Sequence, residues 1–553
     1  MRTTDDYISR RSPVLATGGM VASSQPLASL AGVDVLRAGG NAADAAVAVA
    51  AALQVTQPCS TGLGGDAFCL YYDAATRGVR ALNGSGRSAA ALTLERCQAE
   101  GLSGRLPDQH SYSVTVPGAA AAWEDVSRTL GRLPLGDALA PAVRLAHDGF
   151  PVAPCASRWW RQAAQAQLRR HRCGGELMIG GRGPHAGEIM RIPTLADSLR
   201  TLADEGSRAF YEGRIAERIV AAVREEGGLL TMEDLAAHRS EWVEPIHVDY
   251  RGVRVWECPP NGQGLAALLA LNIVKQFALA DIPAGSFERY HLLIEAMRLA
   301  FADAAWAVAD PQHARVPVAQ LLADGYAAER AGLIDRSRAN RTAAPGALHA
   351  GGDTVYFCTA DGDGNACSFI NSNYMAFGTG IVPEGCGFAL QNRGCGFVLE
   401  RGHLNGLAPR KRPYHTIIPG LATRTADGSL YAAFGVMGGM MQPQGHLQVV
   451  VAMVDDDLDP QSALDRPRFQ LRGGGAGAPV LVEDTMDAET VARLDAAGHE
   501  PAVVPGAGRG AFGLGQIIRR AAPPAGSLHG PPAGAVYWGG SDPRGDGLAI
   551  GIP

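Results

Sequence analysis

Thr354-Val-Tyr-Phe-Cys-Thr-Ala-Asp-Gly-Asp-Gly-Asn-Ala-Cys-Ser-Phe-Ile-Asn-Ser372 is the stretch on which the fold turns. Two runs rich in β-branched and aromatic residues flank a Gly/Asp/Asn cluster, which is the pattern of a β-hairpin. The cluster at 361–365 imitates the start of a calcium loop. The sixth loop position, however, is Ala366 instead of Gly and the twelfth is Ser372 instead of Glu, so we read a tight turn.

Outward from the hairpin the chain changes character on both sides. Residues 336–352 have the composition of an exposed linker. Before them the middle third is helical by periodicity, with helices expected at 138–147, 194–205, 214–226 and 286–308. Thr231 with Asp234 forms a capping-box signature. Downstream, strands are expected at 387–390, 416–418 and 430–436, and a helix from about Gln442 to Val454. Near the start, Asn41 caps an Ala-rich helix. A glycine loop at 60–65 then leads into a strand, the reverse of the strand–glycine–helix order of a dinucleotide site. No repeat is visible. Strands with helices grouped between them favour α+β layers over βαβ alternation.

Composition bounds the function. The chain has 553 residues, 49 cations against 55 acids, and a net charge of −6, which argues against a nucleic-acid binder. All but two of the cations are arginine (the lysines are Lys275 and Lys411), scattered and without blocks, which reads as genome bias. No run approaches the roughly 20 apolar residues of a spanning helix. The N-terminus lacks an apolar signal region, so a cytoplasmic protein is expected. Ten dispersed cysteines without CxxC read as buried thiols, and no metal-ligand spacing is present. No metal, cofactor, membrane or nucleic-acid partner is expected.

A series of separated motifs resembles the gamma-glutamyltransferase (gamma-glutamyltranspeptidase) family of N-terminal nucleophile hydrolases. They run from Gly32-Val-Asp-Val-Leu-Arg-Ala-Gly-Gly-Asn-Ala-Ala-Asp44 through Leu63-Gly-Gly-Asp66, Val116-Pro-Gly118 and Gly227-Gly-Leu-Leu-Thr-Met-Glu-Asp-Leu235. Asp353-Thr354, Phe377-Gly-Thr-Gly-Ile381, Lys411-Arg-Pro413, Gly435-Val-Met-Gly-Gly439 and Ser541-Asp-Pro-Arg544 follow in order. The resemblance implies a four-layer αββα sandwich built from a precursor that cuts itself at Asp353–Thr354. That cut leaves a large subunit of residues 1–353 and a small one of 354–553, sharing one structural domain and leaving open a dimer of such pairs. It also implies Thr354 as nucleophile, Ser372 as its supporting hydroxyl, and Gly438 and Gly439 as oxyanion donors. A threonine hydroxyl needs a base, and the freed α-amino group, with an unperturbed pKa of about 7.7–8.0, suits that task.

Substrate recognition departs from the family. Laid on its pattern without gaps, the carboxylate-binding Arg becomes Ser85, with Arg87 two residues on. The acid that holds an α-ammonium becomes Gly396, and the Ser pair becomes His415-Thr416. The Asn near the nucleophile becomes Tyr374, with Asn371 and Asn373 beside it. Arg87, Asn373, Tyr374, His415 and Thr416 are therefore the substrate-binding candidates, with Arg393 as a weaker alternative to Arg87. Nothing replaces the acid, so a γ-glutamyl substrate should bind poorly. This looks like the outlying branch that includes oxamate amidohydrolase, and the short 396–411 segment implies a reduced lid. The expected function is hydrolysis of the amide of a small carboxylate-bearing substrate. The alternatives are gamma-glutamyl transfer or glutathione hydrolysis, an inactive binding protein of the same fold, and, weakened by element order, a dinucleotide enzyme.

Overall fold

Two seven-stranded sheets face one another, each with helices on its outer side. In a computed structural model, which describes residues 11–341, 353–474, 477–521 and 536–553, the first sheet has the spatial order Leu548–Ile552, Gly19–Ser23, Asp353–Asp361, Ala366–Tyr374, Asp66–Asp73, Gly78–Gly84, Glu241–Val243. The second runs Val14–Ala16, Tyr537–Ser541, Leu514–Arg520, Leu430–Met437, Gly420–Arg424, Val253–Glu257, Ile246–Tyr250. Neighbouring strands are antiparallel in both. Each sheet mixes strands from before and after residue 353.

Strand alternation explains the layers. Tyr356, Cys358 and Ala360 point between the sheets, where they meet Leu421, Ala433, Leu514 and Ile518. Val355 and Phe357 point the other way, onto the helices. One of these, Ala42–Thr56, is buried along its whole length, which its alanines permit. Gly32 lets the preceding helix Pro26–Arg37 lie close, since a Cβ there would come within 2.7 Å of Val49. Beneath the second sheet, Gly264–Val274, Phe287–Ala307 and Met441–Val454 form the other helical layer. This is the αββα sandwich of the N-terminal nucleophile hydrolases.

The expected hairpin is Asp353–Asp361 paired with Ala366–Tyr374. Its turn is no cation loop: Asp361 accepts from the amides of Asp363, Asn365 and Ala42 and from the Asn365 side chain, at 2.9–3.0 Å. The expected caps form as full capping boxes at Asn41/Asp44 and Thr231/Asp234. Two expectations fail. Residues 387–390 and 416–418 are not strands. Their backbone groups bond into loops and side chains, as when the Ile418 amide donates to Gln442 Oε1 at 2.9 Å. Most of the expected linker, 342–352, lies outside the described residues. Residues 335–341 are fastened to the helix Phe287–Ala307, whose His291 Nε2 meets the Asp335 carbonyl at 2.6 Å. Among the described residues no helix is long and apolar enough to cross a membrane.

Candidate active site

At the open end of the hairpin the register slips. Asp353 faces Tyr374 and Val355 faces Asn371, so Ser372 and Asn373 together oppose Thr354. Such bulges re-aim side chains at sheet ends. Thr354 falls on the same face as Tyr356, whose hydroxyl meets Ser368 Oγ at 2.9 Å between the sheets. The Thr354 and Ser372 hydroxyls lie 3.0 Å apart, both fully buried. Beyond them Tyr374 takes a φ of 77° and donates its amide to Ser372 Oγ at 2.8 Å.

A guanidinium stands over this pair. Arg393, in a short turn at Arg393–Gly396, is fully buried. It donates to Thr416 Oγ1 at 2.7 Å and to Ser372 Oγ at 3.3 Å, and it stacks on Tyr374 at 4.2 Å. Its Nε has no partner and it makes no ion pair among the described residues. Burial lowers its pKa to about 10, with Asp66 opposing, so it stays charged at neutral pH. Asp66 is already committed. Its carboxylate accepts from the Gly86 and Gly118 amides, from Gln391 Nε2 and from His415 Nε2, all at 3.0 Å. Burial alone would raise the Asp66 pKa, but His415 and Arg393 prevail and hold it low.

The third part is backbone. Gly438 and Gly439 follow the strand Leu430–Met437 and precede the helix Met441–Val454. Gly438 has φ +126° and lies against Gly513, which favours glycine there. Gln263 Nε2 ties this turn to the Arg393 side, donating to the Gly439 carbonyl at 2.9 Å and the Thr416 carbonyl at 2.6 Å. The amides of Gly438 and Gly439 donate to no protein acceptor among the described residues. Two such amides are what an oxyanion needs.

Comparison with known proteins identifies the family. The gamma-glutamyltranspeptidase family model matches residues 28–552. The chain belongs to this family. It is 38% identical over 543 residues to the glutathione hydrolase-like YwrD proenzyme of Bacillus subtilis (strain 168), covering 98% of this chain and 99% of that one. It is 34% identical to the oxamate amidohydrolase proenzyme of Klebsiella pneumoniae, over 97% of this chain and 99% of the relative. Among solved structures, the cephalosporin acylase from Bacillus halodurans superposes with a TM-score of 0.90 at 45% identity, covering 99% of this chain and 98% of its own. The chain is thus an enzyme, an amide hydrolase or acyltransferase of the gamma-glutamyltranspeptidase family.

Within this family member, the structure groups the sequence candidates unevenly. Thr354, Ser372, Tyr374 and Thr416 converge, together with Arg393. Arg87 does not join them. Its guanidinium is engaged by Glu241 at 2.9 Å, Asp310 at 3.4 Å and Gln312 at 3.1 Å, because those groups converge from segments over 150 residues away. Asn373 sends its side-chain amide to the Pro58 carbonyl at 3.5 Å, on the opposite face of the strand from Ser372. His415 is inside the cluster, but both ring nitrogens are occupied. Nε2–H donates to Asp66 and Nδ1 accepts from the Ile417 amide at 3.3 Å, so the ring pins a loop to Asp66 and leaves no donor for substrate. Sequence reading missed Asp66, Gln391 and Gln263. Only Asp66 carried a signal, its place in Leu63-Gly-Gly-Asp66.

Buried neutral histidines make stability depend on pH. Burial lowers the pKa of His415 to about 3, helped by Arg393, and that of His238 to about 4. Unfolded histidines titrate near 6.5. Between those values the unfolded chain binds protons that the folded chain refuses, so stability falls as pH falls below about 6.5 and is insensitive to these groups above it. The unfolding free energy measured by urea titration should decline at up to about 1.4 kcal/mol per pH unit for each histidine. A flat profile from pH 7 to 5 would contradict this charge assignment.

Proposed function

We propose that this enzyme is an autoprocessing amidohydrolase with Thr354 as nucleophile, acting on amides of small, carboxylate-bearing, oxamate-like acids. Cleavage of the Asp353–Thr354 bond separates residues 1–353 from 354–553 and frees the Thr354 amine. That amine takes the hydroxyl proton as Oγ1 attacks the amide carbonyl, and the amides of Gly438 and Gly439 receive the developing oxyanion. The C–N bond then breaks, the leaving amine takes the proton, and water hydrolyses the resulting ester. The names of the relatives as proenzymes support the processing step.

One observation carries the substrate class: Arg393 is a buried guanidinium that makes no ion pair among the described residues, 3.3 Å from the Ser372 hydroxyl that touches Thr354. A buried charge without a counter-ion costs several kcal/mol, and a substrate carboxylate supplies one in bidentate reach. The ammonium of a γ-glutamyl group would instead face a like charge, and Asp66 is saturated. The enzyme should therefore hydrolyse oxamate with a higher kcat/KM than a γ-glutamyl anilide. A clear preference for the anilide would reinstate gamma-glutamyl hydrolysis or transfer.

A further inference from the structure

Donor amides stabilise an oxyanion well only when they are fixed before the charge develops. Gly438 and Gly439, two successive glycines, have the widest backbone freedom a dipeptide can have, so their order must come from what holds them. Part of it is local. The Met441 amide donates to the Gly438 carbonyl at 3.0 Å and the Gln442 amide to the Gly439 carbonyl at 3.2 Å, where the helix Met441–Val454 begins. The rest comes from 176 residues away in the chain, where Gln263 Nε2 donates to the Gly439 carbonyl at 2.9 Å.

Gln263 is itself a fixed post. It is fully buried at the cap of the helix Gly264–Val274, and its backbone amide donates to the His415 carbonyl at 2.9 Å. The His415 amide in turn donates to the Asn261 carbonyl at 2.8 Å, and Asn261 Nδ2 to the Pro413 carbonyl at 2.8 Å, so residues 261–263 and 413–416 are laced together. The orientation of the Gln263 side chain follows from its partners. Two carbonyls, those of Gly439 and of Thr416 at 2.6 Å, call for the nitrogen on one side, while the Tyr414 hydroxyl donates to Oε1 at 3.1 Å on the other. Thr416 is also where Arg393 is seated, since its Oγ1 accepts from that guanidinium at 2.7 Å. One primary amide therefore spans the oxyanion turn and the loop that seats the buried guanidinium.

We propose that Gln263 is a positioning residue for the hydrolysis, locking the Gly438–Gly439 donors in register with the loop that seats Arg393. This role rests on Thr354 as nucleophile and on the glycine pair as oxyanion donors, and is independent of which acyl group the enzyme takes. Without the Gln263 amide the turn is held from its helix alone, and its donors must be ordered as the oxyanion forms. The cost then falls on the transition state and spares the binding of substrate.

Gln263→Met tests this, because it nearly conserves the side-chain volume and removes the donor. The substrate is oxamate or a γ-glutamyl anilide, whichever the wild type hydrolyses faster, and the rates are taken on processed enzyme. The variant should lose about tenfold or more in kcat with KM within about threefold of wild type, as expected for an interaction that acts in the transition state. A smaller loss of kcat, or a loss carried by KM, would overturn the role of Gln263 while leaving Thr354 as nucleophile intact. Tyr414→Phe removes the hydroxyl that orients the amide and should lower kcat in the same manner by about threefold or more. If Gln263→Met yields no folded protein, Tyr414→Phe decides, and an unchanged kcat there would overturn the role. A wild-type enzyme inert toward both amides would overturn the function proposed above, and this role with it.

Discussion

Thr354→Ala should leave one uncut 553-residue chain on a denaturing gel, where the wild type gives pieces of 353 and 200 residues. The proposed self-cleavage needs the hydroxyl: Oγ1 would add to the Asp353 carbonyl carbon, the peptide C–N bond would break with the amine taking the proton, and water would open the ester. Alanine removes the attacking oxygen and, with it, the later acyl acceptor. Loss of a nucleophile of this kind costs about 10⁶-fold in kcat. Thr354→Ser keeps an oxygen 3.0 Å from Ser372 and should still be cut, though more slowly for want of the methyl group that fixes the rotamer. A Thr354→Ala chain that splits at this bond would remove Thr354 from the chemistry.

The second large effect is expected at Arg393. Arg393→Gln should lower kcat/KM for oxamate by about 10²–10³-fold, the consequence of leaving a bound carboxylate without its charge partner. The same change should not lower the thermal midpoint, because among the described residues the buried guanidinium has an unpartnered Nε and no ion pair, and neutralising it relieves that cost. The two readouts move independently, which separates a ligand role from a structural one. Arg393→Lys should restore part of the activity, since it returns the charge without the planar fork. Unchanged oxamate kinetics in Arg393→Gln would leave the substrate class without its support.

Much of the fold was legible because its signals are local. The hairpin, its turn and the two capping boxes are each written within a few residues, and local hydrogen bonds realise them. The failures share a cause. Residues 387–390 and 416–418 carry strand-like composition, but their partners are side chains and loop backbone instead of a neighbouring strand. The site follows the same division. Thr354 beside Ser372 comes from one hairpin's register, whereas Arg393 over Thr416 and Asp66 under His415 require three separate segments to meet. Arg87 shows the converse: a position two residues from an expected one is captured by acids that no local pattern announces.

The interleaving of the two sheets bears on when the proposed self-cleavage can take place. The strand that begins at Asp353 is held by Gly19–Ser23, which is held in turn by Leu548–Ile552, and its other neighbour is Ala366–Tyr374. The alignment of Thr354 with Ser372 is therefore a product of the assembled sheet, and a chain lacking residues 548–552 should stay uncut. The proposed self-cleavage would then act as an internal proofreader that licenses only correctly assembled copies. If the bond is broken as proposed, the two pieces would be held by shared sheets instead of a covalent link, so their cohesion would depend on dilution and on the rate of unfolding. An enzyme activated in this way carries in its cut a permanent record that it once folded.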